Sequence, residues 1–136
     1  MRNYAKSARW TIDKERYREL SGFCKQYPKW KVELAETTDL SSPKLDGMPH
    51  GTDVSDPTER AVERRERLLM KIDLVDKCAN APDNGAWYKA LILSICNGKG
   101  YEAIRDDYPE ILPTSHRKAF FDARRVFFLT LDKLWF

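Results

Sequence analysis

A chain of 136 residues with 42% hydrophobic content can bury one modest core, which excludes two full domains. Its 24 Lys and Arg against 21 Asp and Glu leave a formal charge of +3, so a polyanionic partner is permitted but not demanded and the placement of charge matters more than the sum. No window approaches the roughly 18 continuous apolar residues of a membrane span, Met1 to Ser7 has no apolar signal core, and Cys24, Cys78 and Cys96 lack histidine clusters, so the expectation is a cytoplasmic protein with reduced thiols and no membrane partner.

Ile12, Leu20, Phe23 and Tyr27 recur at helical spacing and predict an amphipathic helix over about 12–27 that stops before Pro28. Arg16, Arg18 and Lys25 lie on its polar face, where solvation is the default. Residues 1–36 are thus expected to form an N-terminal helical arm. Residues 37–55 are crowded with Pro, Gly, Ser and Asp and predict a linker; Asp39, Asp46 and Asp53 against Lys44 make it acidic, and His50 has no second metal ligand at a useful spacing.

Asp56-Pro57-Thr58-Glu59 is a helix start, with Asp56 as cap, Pro57 at the first helical position and Glu59 in capping-box position. The helix should run to about Ala79, with Ala61, Leu68, Ile72, Val75 and Ala79 as an apolar stripe and Arg64, Arg65, Arg67 and Lys71 mixed with Glu59, Glu63 and Glu66. The stripe could bury the first helix or pair two copies in a homodimer through helix 57–79.

Asn80 to Gly85, with Pro82, breaks the chain. Trp87 to Cys96 is apolar on nearly every side and predicts an enclosed helix, ended by Gly98 and Gly100. Tyr101 to Asp107 predicts a two-turn helix with Tyr101, Ile104 and Tyr108 on one face, ending before Pro109. A last long helix should begin at Thr114 or Ser115, either able to cap it, and run to Leu134 with Phe120, Ala123, Phe127, Thr130, Leu131 and Leu134 inward. The expected fold class is therefore all-α, a small helical domain over 56–136 whose segment 86–134 has the order of a helix-turn-helix.

The chemistry gathers at the start of the last helix. His116, Arg117, Phe121, Arg124 and Arg125 face outward with Lys118 at one flank, and the window 114–125 holds four cations besides the histidine against Asp122 alone. Arginine forks suit guanine edges or phosphate, and a helix N-terminus adds backbone donors, so the expected partner is double-stranded DNA. There is no Gly-rich phosphate loop, His-Glu-x-x-His, Cys-x-x-Cys or Gly-x-Ser-x-Gly, and adjacent Asp106 and Asp107 diverge on a helix, so no enzyme, cofactor or metal is expected. Trp10, Trp30, Trp87 and Trp135 could stack on bases, with core expected for Trp87 and a C-terminal packing anchor for Trp135.

Three stretches carry a family resemblance: Ser42-Pro43-Lys44-Leu45-Asp46-Gly47-Met48-Pro49 running into Ser55-Asp56-Pro57-Thr58, then Gly100-Tyr101-Glu102-Ala103-Ile104, then Arg124-Arg125-Val126-Phe127-Phe128. Together the chain resembles the small phage and prophage transcriptional regulators of the RinA and ArpU type. The resemblance implies sequence-specific activation of late or packaging genes in a bacterial host cell, through promoter DNA and host RNA polymerase. The C-terminal order is also similar to the DNA-reading terminal domain of bacterial sigma factors. That likeness implies Ser115, His116, Arg117, Lys118 and Phe121 toward the major groove and Arg124 and Arg125 near the backbone. Tyr108 to Pro113 departs from it, being longer and richer in proline than the usual turn. The alternatives are a phage-encoded interaction protein that inhibits a host nuclease or defence complex, and a packaging-initiation protein that recognises DNA for the terminase.

Overall fold

The computed structural model describes residues 12–41 and 57–135, and within them the fold is all-α with no strand. The proposed cap Asp56, Trp10, His50 and residues 42–55 of the expected linker lie outside the described residues. Helix α1 spans Lys14–Lys25 and opens on Asp13, whose carboxylate accepts the Arg16 amide N–H at 2.8 Å. It does end before Pro28, but a second helix, α2 (Tyr27–Ser41), starts immediately. Pro28 stands in the first turn of α2, where an amide would have no intrahelical partner, so the residue that closes one helix opens the next.

Two expectations change here. Residues 37–41 belong to α2 rather than to a linker: Thr37 is buried, and its hydroxyl donates to the Glu33 carbonyl at 2.8 Å, so a nominal turn residue satisfies itself within the helix. Residues 12–36 also do not form a separate arm, because Leu20, Cys24, Tyr27 and Trp30 are buried in the same core as the C-terminal helices. Trp30 is therefore not available for base stacking; it packs edge-on to Phe23 at 4.9 Å.

Helix α3 (Pro57–Asn80) carries the predicted stripe, and Leu68, Ile72, Val75 and Ala79 are buried, with α2 and the last helix as the main neighbours of α3. The seam is thus filled within one chain, and the homodimer expected through helix 57–79 would have to use other faces of α3. A buried polar knot fixes the arrangement: the hydroxyls of Tyr27 and Tyr88 both donate to the Asp76 carboxylate at 2.7 Å and lie 3.1 Å apart. Burial, together with the bonds to Asp76, holds both phenols above their ordinary pKa, with the Tyr27 contact opposing the shift at Tyr88.

After α3 the chain reverses through Pro82 to Gly85, where Asp83, Asn84 and Gly85 all have positive φ (51°, 52° and 91°). Asp and Asn tolerate that region better than other side chains, and the Trp87 indole N–H braces the turn by donating to Asp83 at 3.2 Å. A Cβ on Gly85 would lie 2.7 Å from Asn80 Oδ1. Helix α4 (Tyr88–Leu91) follows and continues as a π-helical turn, Ile92–Cys96, ended by Gly98 at φ 75°. Gly100, extended at φ −75°, is the N-cap of α5 (Tyr101–Asp107), so of these two glycines only Gly98 uses its conformational freedom. A short 3-10 turn, Pro109–Ile111, leads to α6 (Arg117–Leu134). No helix of the described residues is long and apolar enough to cross a membrane.

The three cysteines are free and buried. Burial pushes the thiols of Cys78 and Cys96 up to about 12 from 9.0 and raises that of Cys24 too, so the reactive thiolate is suppressed. Raised folded-state values mean that the stabilisation is complete below the ordinary thiol pKa and is lost as pH rises through the folded values. Unfolding free energy should therefore hold steady from neutral pH to about 9 and fall above it, and native protein should resist thiol alkylation at neutral pH until denaturant is added. Gly85→Ala should cost about 1–3 kcal/mol in urea unfolding, from forced positive φ and the clash with Asn80.

Candidate nucleic-acid interface

Helix α6 packs against α3, α1 and α4. Phe120, Ala123, Phe127, Phe128 and Leu131 are buried, and Thr130 and Leu134, expected inward, are only partly covered or exposed. Phe128 adds a second buried line beside the predicted stripe, packing on Phe127 at 5.2 Å and on Tyr17 of α1 at 4.9 Å. With two flanks covered, α6 exposes Arg117, Lys118 and Phe121 in its first turns and Val126, Lys133 and Leu134 further along.

Those turns begin later than expected. His116 is the N-cap residue and makes no side-chain cap; Thr114 Oγ1 instead accepts the His116 amide N–H at 3.2 Å, and Ser115 lies in the preceding loop. Neither Thr114 nor Ser115 caps the helix, because Tyr101 holds the loop from below: its hydroxyl donates to the Ser115 carbonyl at 3.0 Å. The Tyr101 ring packs on Phe120 at 5.1 Å, while the Arg117 guanidinium lies 5.5 Å from that ring and 5.2 Å from the Phe121 ring. Tyr101 is buried and Phe121 is exposed, so one arginine is spread across a boundary between core and solvent. Ser115, His116, Arg117, Lys118 and Phe121 form one exposed cluster.

Arg124 and Arg125 do not join it. Arg124 turns back onto the core, its Nη2 donating to Tyr17 Oη at 3.1 Å and its guanidinium 5.5 Å from the Phe128 ring, while its Nε–H is buried without an acceptor among the described residues. Arg124, expected outward, is thus engaged in packing in this structure. Arg125 is partly buried and donates to Asp122 at 2.9 Å. The error lies in the helical period: Phe128 is a core residue, and Arg124, four positions earlier, shares its side of the helix.

The cluster also carries its own counter-charges. Arg117 pairs with Glu102 of α5 at 3.4 Å, and Asp122 faces both Lys118 at 3.6 Å and Arg125. These pairs are mostly exposed, which makes them weak and easily exchanged for a ligand. Glu102 was invisible as a partner in the sequence because it belongs to another helix. Beside α6 runs a groove of about 470 Å³, lined by Trp87, Pro113, Ala119, Ala123 and Val126 together with the polar Asp83, Thr114 and Asp122.

The chain matches no known protein family, no curated protein and no solved structure. The division of labour on α6 can be measured directly. Arg124→Ala should cost about 1–2 kcal/mol in thermal or urea unfolding, through the lost hydrogen bond and ring contact, whereas Arg117→Ala should stay within about 0.5 kcal/mol of the parent.

Proposed function

We propose that the chain is a phage or prophage DNA-binding transcriptional regulator, an activator of late or packaging genes, that sets the start of α6 against promoter DNA. The observation that carries this proposal is the exposed, uncapped N-terminus of α6 with Arg117 and Lys118 in its first turn and His116 directly before it. The first amides of a helix have no intrahelical acceptor and can bond a phosphate oxygen, which the helix dipole favours. Arg117 can offer its fork to a guanine edge once it exchanges Glu102 for DNA, and Phe121 can meet a thymine methyl. The resemblance to RinA and ArpU type regulators supports the same partner, and host RNA polymerase is the second partner it implies.

Gel shifts with the promoter DNA flanking the chain's own gene are the direct test. Retardation should appear at low salt and weaken steeply as salt rises, and Arg117→Ala should weaken it by about tenfold or more. Absence of any shift at low salt sinks the proposal. Glu102→Gln, by freeing Arg117 in advance, should tighten binding to a random-sequence duplex up to about fivefold and narrow the gap to the promoter.

One observation favours a second function, the phage-encoded interaction protein that inhibits a host nuclease or defence complex: the groove beside α6 combines apolar walls, half-exposed Val126 among them, with the polar Asp83, Thr114 and Asp122, a mix that can accept protein side chains. A Val126→Asp change that abolishes salt-resistant capture of one host protein, in a chain that binds no DNA, would decide for it.

A further inference from the structure

We infer that the first half of α3 is a second contact surface for the phosphate backbone of a nucleic-acid duplex, formed by Arg60, Arg64 and Arg67 with Lys71 at its inner end. These four residues are exposed and recur at spacings of four, three and four, so they fall within about 60° of one another on the helix. The row is about 16 Å long at the rise of an α-helix, enough to follow several phosphates, which succeed one another about every 3.4 Å per strand along the duplex axis. Glu59, Glu63 and Glu66 occupy a separate line about 100° away.

An ordinary solvated helix face mixes its signs at three- and four-residue spacing, because opposite charges there support the helix and like charges oppose it. In the first half of this helix like pairs outnumber opposite ones: Glu59 and Glu63, Arg60 and Arg64, and Arg67 and Lys71 are like pairs at four-residue spacing and Glu63 with Glu66 and Arg64 with Arg67 at three, against the opposite pairs Arg60 with Glu63 at three and Glu63 with Arg67 at four. Glu63, spaced to bridge Arg67, does not; no ion pair within 4.0 Å engages Arg60, Arg64 or Arg67 among the described residues. The contrast with the start of α6 is direct, since Arg117, Lys118 and Arg125 there all face a carboxylate.

The chemistry of the row selects its partner. A protein interface is built on clustered apolar or aromatic anchors that exclude water; the four cations carry none between them, the exposed Val62 and Met70 of the same helix stand singly beside the row, and Trp30 beneath Lys71 is buried. Three guanidiniums in line suit phosphate oxygens, which accept their paired N–H groups and need no surrounding pocket. Such contacts carry no sequence information and position the protein on the duplex. The inference takes its duplex from the DNA-binding proposal but uses none of the α6 residues.

The test is fluorescence anisotropy of the full chain with a labelled random-sequence duplex over a range of salt, for the parent, for Arg60→Gln/Arg64→Gln/Arg67→Gln, and for Arg117→Gln/Lys118→Gln. The α3 triple variant should flatten the dependence of log affinity on log salt by about 0.9 for each contact removed, with its thermal midpoint unchanged or raised because like-charge repulsion is relieved. Glu59→Gln/Glu63→Gln/Glu66→Gln should move the affinity the other way, several-fold tighter. A parental salt slope and affinity in the α3 triple variant would overturn the second surface while leaving α6 recognition standing, and failure of the parent to bind any duplex at low salt would overturn both. Loss of slope only in the α3 variant would keep the second surface and leave α6 to be judged by the promoter gel shifts.

Discussion

Burial of α6 is the constraint on which the rest of the structure depends. Phe120, Phe127, Phe128 and Leu131 are almost wholly removed from water and contribute, at about 1.5–3 kcal/mol for each fully buried large apolar side chain, a large part of what a core of this size can supply. The other helices are arranged to cover it: α1 through Tyr17 on Phe128, α5 through Tyr101 on Phe120, α3 along the length of its stripe. A helix used this heavily for packing has little surface left for recognition. Its cations remain exposed mainly at its beginning, and Arg124 shows the limit, being drawn onto the core by Tyr17 and Phe128.

The ends of α1 and α6 are locked by a different kind of contact. Arg16 donates to Asp132 at 2.7 Å and to the Trp135 carbonyl at 3.0 Å, with the indole of Trp135 under its guanidinium at 5.0 Å. Trp135 in turn packs on Phe23 at 4.9 Å, as expected of a C-terminal anchor. An arginine that looked like one more solvated charge on α1 therefore closes the bundle at the end where α6 stops. The start of α6 carries no comparable clamp on its outer face, so the two ends of one helix differ in how freely they can exchange partners.

Much of this was legible in the sequence because local rules and burial agree. The all-α class, the bounds of α5, the enclosed helix after Trp87 and the core line Phe120, Ala123, Phe127 and Leu131 follow from periodicity and punctuation alone. The misses have physical causes. Pro28 is as good a beginning as an end, so α2 was hidden; Thr37 satisfies its hydroxyl inside a helix, so composition mistook residues 37–41 for linker. At the candidate site, residue type identified Arg117 and Lys118, but only tertiary structure shows that Glu102 and Asp122 already face them. The three-residue left-handed turn at Asp83, Asn84 and Gly85 likewise had its residue types in view, while its consequence, the placement of Trp87, depends on the fold.

The distribution of charge gives the two proposed surfaces different characters, which a net charge of +3 conceals. Cations held beside carboxylates at the start of α6 lose part of their long-range pull, so a polyanion gains little from them unless it also supplies the specific acceptors that replace Glu102 and Asp122. The α3 arginines, which meet no carboxylate among the described residues, have the opposite character: such cations attract phosphate at a distance and discriminate little between sequences. A recognition surface that is locally compensated and a positioning surface that is not would together favour search along a duplex followed by selective arrest. Reversing that assignment, with a strongly positive α6, would raise affinity for every sequence at once and erode the difference between promoter and bulk DNA on which a regulator depends.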